Sequence, residues 1–184
     1  MPTPAKTSRE ALIAIALTLV EANGADALTI GAVAEAAGVR GPSLYKHFSD
    51  RTALLSAVTV ATMQRLEAVL RDALAGRTSR ARLVALATAY RQFARRSPHL
   101  YQLMYRPEFA DVPSVVEASR VSGQPLFEEL QAAGVPPKRL LNLSRMFVAF
   151  VHGFVSMEIV GAFRLGGDVD RAFEEGIKTL LQLV

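Results

Sequence analysis

Apolar residues in this chain recur three and four positions apart along most of its length. The first such stripe contains Leu12, Ala16 and Val20, and it stops at Gly24. This spacing places apolar side chains on one face of an α-helix, whereas a strand needs an alternating pattern, and no long alternating run of β-branched and aromatic residues is present. The sequence therefore predicts an all-α protein with about nine helices and no strands.

The residue types present exclude several classes of chemistry. The chain has 184 residues, 51% of them hydrophobic, so it can build a sizeable core, and it has no Cys and only three His. Disulfide scaffolds, thiolate clusters and Cys nucleophiles are therefore excluded, and three widely separated His give no recognisable metal site. No G-x-S-x-G elbow, phosphate-binding glycine loop or H-E-x-x-H occurs. We predict no enzymatic activity, no metal and no cofactor.

Two apolar stretches, residues 11–20 and 146–163, could be mistaken for membrane-spanning segments. A bilayer requires roughly 20 apolar residues, so the first stretch is too short to span it. The second contains His152, Ser156 and Glu158, and a charge near the middle of a bilayer costs about 2.5 to 3.5 kcal/mol. We predict core or interface helices, with no membrane partner.

A pair of short helices near the N-terminus has the layout of a helix-turn-helix. Thr29 offers an N-cap to the first helix, Gly38 closes it in a left-handed conformation, and Pro42 suits the first turn of the second. Ala34 is small enough for a close crossing, and Leu44 and Phe48 face inward. Such a unit presents its second helix to a DNA major groove about 12 Å wide.

Candidate DNA contacts follow from the residues that face outward. We expect Ser43 and Lys46 to bond base edges or phosphates, Tyr45, His47 and Thr29 to hold backbone phosphates, and Arg40 to reach a base or a phosphate. The predicted interface is completed by the residues that begin the second helix, and it comprises Thr29, Arg40, Gly41, Pro42, Ser43, Tyr45, Lys46 and His47. Residues 1–50 carry a net charge of −1, so binding depends on the local placement of these groups.

Residues 29–55 resemble the helix-turn-helix block of the TetR family of bacterial transcriptional regulators, most densely at residues 43–48, Ser-Leu-Tyr-Lys-His-Phe. The resemblance implies a DNA-binding domain over residues 1–50 and a helical effector-binding and dimerisation domain over residues 51–184. It further implies a cytoplasmic homodimer that represses transcription from a pseudo-palindromic operator until a small-molecule effector releases it. The alternative is a helical interaction module that keeps the fold without specific DNA binding.

The C-terminal part is similar to one branch of that family, which often has a Trp shortly before a His-Gly pair, here His152-Gly153. This chain has no Trp, and the similarity does not identify an effector. Candidate effector contacts are apolar or aromatic residues and one His, each of which also suits an ordinary core: Phe93, Tyr101, Met104, Tyr105, Phe127, Phe147 and His152.

Two further surfaces are predicted for the helical part. Residues 143–163 and 169–183 are more apolar than solvent-facing helices should be, and we expect them to form a two-fold, four-helix dimer interface. Six arginines follow a loop and one helix, where a solvated face is favoured over a second nucleic-acid surface: Arg77, Arg80, Arg82, Arg91, Arg95 and Arg96.

Overall fold

The computed structural model describes residues 8–76 and 78–184. Within these ranges it contains nine α-helices and no strand, which confirms the predicted fold class. The helices are α1 (Arg9–Asn23), α2 (Ile30–Ala37), α3 (Gly41–Leu44), α4 (Arg51–Asp72), α5 (Ser79–Arg96), α6 (Pro98–Met104), α7 (Pro113–Ala132), α8 (Pro137–Ile159) and α9 (Val169–Leu180). The chain forms two compact units, the first containing residues up to 65 and 97–120, the second residues 66–96 and 121–184.

The first unit is built on α1, which packs against both α2 and α6. Its N-terminus is capped by Ser8, whose Oγ accepts a hydrogen bond of 3.1 Å from the backbone N–H of Ala11. Leu12, Ala16 and Val20 are buried, as the stripe predicts. The loop after α1 is held by Arg51 of α4, which donates to the backbone oxygens of Leu28 and Ala25.

The second unit joins α5, α8 and α9 around a buried arginine. Arg91 of α5 is 7% exposed and donates two hydrogen bonds to Glu158 of α8, from Nε at 2.8 Å and from Nη2 at 2.5 Å. Its Nη2 also lies 2.7 Å from Asp170 of α9, and its guanidinium lies over the rings of Phe154 and Phe173. Because these contacts join α8 and α9 to α5, Arg91 fixes the arrangement of the three helices.

Helix α8 ends earlier than the sequence pattern predicted. We expected it to reach residue 163, but it stops at Ile159, and Gly161 follows with φ of 66°. This left-handed residue ends the helix, and the N–H of Ala162 bonds back to the oxygen of Met157. Phe163 therefore lies in the loop that precedes α9.

Much of the apolar surface of α8 is exposed. By length and composition, α4 and α8 are both apolar enough to cross a membrane, which is weak evidence because core helices also qualify. Of the most apolar 18-residue stretch in each helix, 50% is buried in α4 but only 28% is buried in α8. The large exposed apolar residues of α8 are Leu141, Met146, Val148 and Met157, and Val160 follows directly.

Candidate nucleic-acid interface

The turn between α2 and α3 has the geometry that its sequence predicts. Thr29 caps α2, since its Oγ1 accepts a 3.0 Å hydrogen bond from the N–H of Ala32. Gly38 has φ of 68°, and nothing lies within 4 Å of a Cβ built there. The glycine is therefore required by its backbone conformation and not by lack of space. The N–H of Val39 bonds to the oxygen of buried Ala34 and completes the helix end.

The segment after this turn (residues 40–48, here called the α3 segment) is fixed by two buried side chains. Leu44 is 0% exposed and Phe48 2% exposed, so both face the core as predicted. Regular helix covers only Gly41–Leu44, but the N–H groups of His47 and Phe48 still bond to the oxygen of Leu44. The three residues between these anchors thus form a helical turn with a defined orientation.

The side chains predicted to contact DNA lie on the outer side of the α3 segment. Tyr45 is 59% exposed, and Lys46, Arg40 and Pro42 are exposed. Ser43, His47 and Gly41 are half-buried. Thr29 is exposed as well, but its hydroxyl oxygen already serves as the cap of α2. Its O–H remains able to donate to an anionic acceptor.

Arg9, which was not among the predicted DNA contacts, lies beside this surface. The guanidinium carbon of Arg9 is 5.3 Å from the centroid of the Phe48 ring. The neighbouring Glu10 carboxylate has a lowered pKa because it accepts a backbone hydrogen bond and one from Ser8, with smaller contributions from the charges of Arg9 and His47. The first turn of α1 therefore adds a cation next to the α3 segment. Only this packing reveals it, since 39 positions separate the two residues in the sequence.

The arginine series of α5 does not form one continuous surface. Arg91 is buried in its ion-pair network, Arg82 contacts Glu129 at 3.4 Å, and Arg80, Arg95 and Arg96 are exposed. Arg77 lies outside the described residues. Including Arg91 on an exposed face was therefore wrong, because its charge is neutralised inside the second unit.

The seven predicted effector contacts divide between the two units. Tyr101 and Met104 are buried in the first unit, and Tyr105 is 46% exposed with its ring centroid 5.4 Å from that of Tyr101. In the second unit Phe147 is buried, Phe93 is half-buried and Phe127 is 38% exposed. His152 is half-buried, and burial lowers its pKa below the ordinary value. Effector contact by these residues stays a prediction. No group of three or more His, Asp or Glu suited to a metal occurs among the residues that the structure describes.

Comparison with known families and structures gives concordant matches. Residues 12–58 match the family model described as bacterial regulatory proteins, tetR family, and residues 83–180 match the tetracycline repressor-like C-terminal domain. The chain is 33% identical over 159 residues to the uncharacterised HTH-type transcriptional regulator Rv0681 of Mycobacterium tuberculosis, covering 86% of this chain and 73% of that protein.

Two solved structures are similar over nearly the whole chain. A protein of unknown function from Rhodococcus sp. RHA1 has a TM-score of 0.80 and 31% identity, covering 96% of this chain and 94% of that one. A single-substitution variant of TetR from Acinetobacter baumannii AYE, solved in complex with minocycline, has a TM-score of 0.67 and 26% identity, covering 95% and 94%.

Proposed function

This chain belongs to the TetR family of transcriptional regulators, and we propose that it is a homodimeric repressor that a small-molecule effector releases from a pseudo-palindromic operator. The observation that supports this most directly is the α3 segment. Arg40, Tyr45 and Lys46 are exposed, while Leu44 and Phe48 are buried and hold the middle and the end of the segment against the core. Such a rigid display fixes which groups meet a groove and favours sequence-specific contact over loose electrostatic attraction.

We assign direct readout to Ser43 and Lys46 of the α3 segment, and backbone positioning to Tyr45 and His47 of that segment and to Thr29 at the start of α2. Arg40 serves either purpose because it precedes the first turn of α3, and Gly41 and Pro42 shape that turn. Contacts to phosphate set register and affinity, whereas contacts to base edges provide sequence specificity.

The dimer forms through α8 and α9. The exposed apolar residues of α8 are too numerous for a helix that faces only water, and they are the surface a two-fold partner would cover. Two α3 segments in such a dimer would enter successive major grooves about 34 to 36 Å apart. Because the two subunits of such a dimer are related by a two-fold axis, the half-sites of its operator would be related by the same symmetry.

Release requires an effector that binds the two states of the dimer differently, since a ligand without a preference shifts no equilibrium. A relative at 26% identity was solved with minocycline, which supports a small organic molecule as the effector class here. Helix α4 is continuous across residues 65 and 66, where the first unit gives way to the second. We infer that its displacement changes the spacing of the two α3 segments.

Members of this family are transcriptional regulators and not enzymes, and we assign this chain no catalytic activity. A regulator of this kind acts in the cytoplasm, where a bacterium keeps its operator DNA. We propose no membrane partner: the apolar face of α8 is assigned to the second subunit.

The test is a footprint of the purified protein on the DNA beside its own gene, with excess competitor DNA, combined with analytical ultracentrifugation. A protected pseudo-palindrome bound by a species of twice 19.9 kDa is the expected result. Protection that competitor DNA removes completely would indicate phosphate contact alone. A 19.9 kDa species that protects no sequence would favour the helical interaction module instead.

A further inference from the structure

Two buried polar atoms in the second unit lack a hydrogen-bond partner among the described residues, and they belong to the same pair of side chains. They are Nε of Arg82 on α5 and Oε2 of Glu129 on α7. The Glu129 side chain is only 9% exposed, whereas that of Arg82 is 37% exposed. A buried polar atom without a partner costs about 1 to 3 kcal/mol, so a group that bonds to both atoms would recover that free energy.

The pair itself is loosely made. Its single contact joins Nη1 of Arg82 to Oε1 of Glu129 at 3.4 Å. Nε of Arg82 is bonded to the same carbon as Nη1, and Oε2 of Glu129 is bonded to the same carbon as Oε1. The free donor and the free acceptor therefore belong to the two groups that already meet. A fully bonded Arg–Glu pair looks different in this protein, because Arg91 donates twice to Glu158, at 2.8 and 2.5 Å.

Helix stability does not explain the Arg82–Glu129 pair. Arg82 lies in the first turn of α5 and Glu129 in the last turn of α7. Helix dipoles favour anions at the N-terminus and cations at the C-terminus, so each charge is on the unfavourable end of its own helix. The pair is thus poorly placed as a structural ion pair.

The helix positions one turn away from the pair are apolar. One turn along α5 from Arg82 lies Leu86, and one turn before Glu129 on α7 lies Pro125. Both are buried, and residues four apart share a helix face. The polar pair therefore adjoins apolar positions on both helices.

We propose that Arg82 and Glu129 are the polar anchor of the effector site, and that they bind a neutral group carrying a hydrogen-bond donor beside an acceptor, such as a carboxamide or lactam. The ligand N–H donates to Oε2 of Glu129, and its oxygen accepts from Nε of Arg82. A neutral group fits because the two side chains already balance each other's charge. This inference rests on the proposed effector response.

Benzamide and acetophenone are matched probes, since they share a ring and a carbonyl but only benzamide carries N–H donors. In ligand-observed NMR titrations of the full-length dimer, benzamide should bind about tenfold more tightly than acetophenone. This is the difference expected for one charge-assisted hydrogen bond. Glu129→Gln should weaken benzamide binding by about tenfold and Glu129→Leu should abolish it. Glu128→Gln is the control, because Glu128 is an exposed neighbour that pairs with Arg71.

Three results would overturn the proposal: equal binding of the two probes, benzamide binding that is unchanged in Glu129→Leu, or no benzamide binding at all. A crystal soaked with benzamide that shows only a water on Oε2 of Glu129 and Nε of Arg82 would also overturn it. Operator binding by the control Glu128→Gln should equal that of the wild type. Failure of the wild type to bind any operator would instead overturn the proposed function.

Discussion

Arg106 donates a hydrogen bond to Asp26 across 80 positions of sequence, with 2.5 Å between Nη2 and Oδ1. The hydrogen bond and the positive charge of Arg106 lower the pKa of Asp26. Two further contacts lie nearby in sequence, from Ser97 Oγ to the Glu21 carboxylate and between His99 Nδ1 and the Glu21 backbone oxygen. Together they attach the segment around α6 to the end of α1, within the first unit.

Leu103→Ala tests whether α6 is a structural part of the first unit. Leu103 is 0% exposed on α6, which packs against α1. Its truncation should cost about 2 to 5 kcal/mol. Hydrogen exchange of the α1 amides should accelerate accordingly, since it reports on this unit directly. Val116→Ala, at a side chain 51% exposed, is the control. Unchanged α1 exchange in Leu103→Ala would show that α6 does not support α1.

The docking of α6 is the part of the first unit that the sequence could not predict. Capping by Thr29, the turn at Gly38 and the anchors Leu44 and Phe48 were all predicted, because each depends on residues within a few positions. The contact between α6 and α1 depends on side chains about 80 positions apart, and helical periodicity contains no information about which faces meet. Arg9 beside Phe48 was missed for the same reason.

Arg91→Met tests the ion-pair network of the second unit. Removal of the buried guanidinium leaves the partly buried Glu158 without its principal partner, and we expect a loss of about 3 kcal/mol in the free energy of unfolding. Arg95→Met is the matched control, since Arg95 is 54% exposed and its contacts are 3.6 and 3.8 Å long. It should cost less than about 0.5 kcal/mol. Urea unfolding at one fixed protein concentration compares them, and equal losses would contradict the assigned role of Arg91.

Gly176→Ala probes the contact between α8 and α9. A Cβ at Gly176 would overlap Cζ of Phe150, whose ring also stacks on Phe173. The ring must move, and we expect a loss of about 1 to 3 kcal/mol. At Gly123 in α7 a Cβ meets nothing within 4 Å, so Gly123→Ala should stabilise the protein by about 0.5 to 1 kcal/mol. Stabilisation by both substitutions in thermal unfolding would show that α9 is not packed this closely.

Stability should fall on the acidic side because of His152. Burial lowers its pKa in the folded protein below the ordinary value of 6.5. As the pH falls below that value the unfolded chain takes up a proton that the folded chain resists, so the stability present above it is lost. His152→Gln should flatten the dependence of Tm on pH between about pH 7 and 5. Superimposable pH profiles for the two proteins would rule out this contribution.

The burial of polar groups inside the second unit could not be predicted from the sequence. Leu83 and Leu86 are buried at helical spacing, but apolar periodicity gives no reason to place Arg91 or Glu129 in the core. Each is buried because a partner on another helix meets it, and that partner is known only from the fold. The end of α8 is a different case: Gly161 was visible in the sequence, but whether it adopts a positive φ depends on the loop that follows.

If the α3 segment binds the operator, replacing Lys46 by alanine should weaken that binding. Anisotropy titrations of a labelled operator should show a loss of affinity of about tenfold or more, with a smaller salt dependence because a cationic contact is removed. Lys138→Ala, which removes an exposed lysine from the start of α8, should bind like the wild type. Wild-type affinity and an unchanged salt dependence in Lys46→Ala would show that the α3 segment does not bind the operator through Lys46.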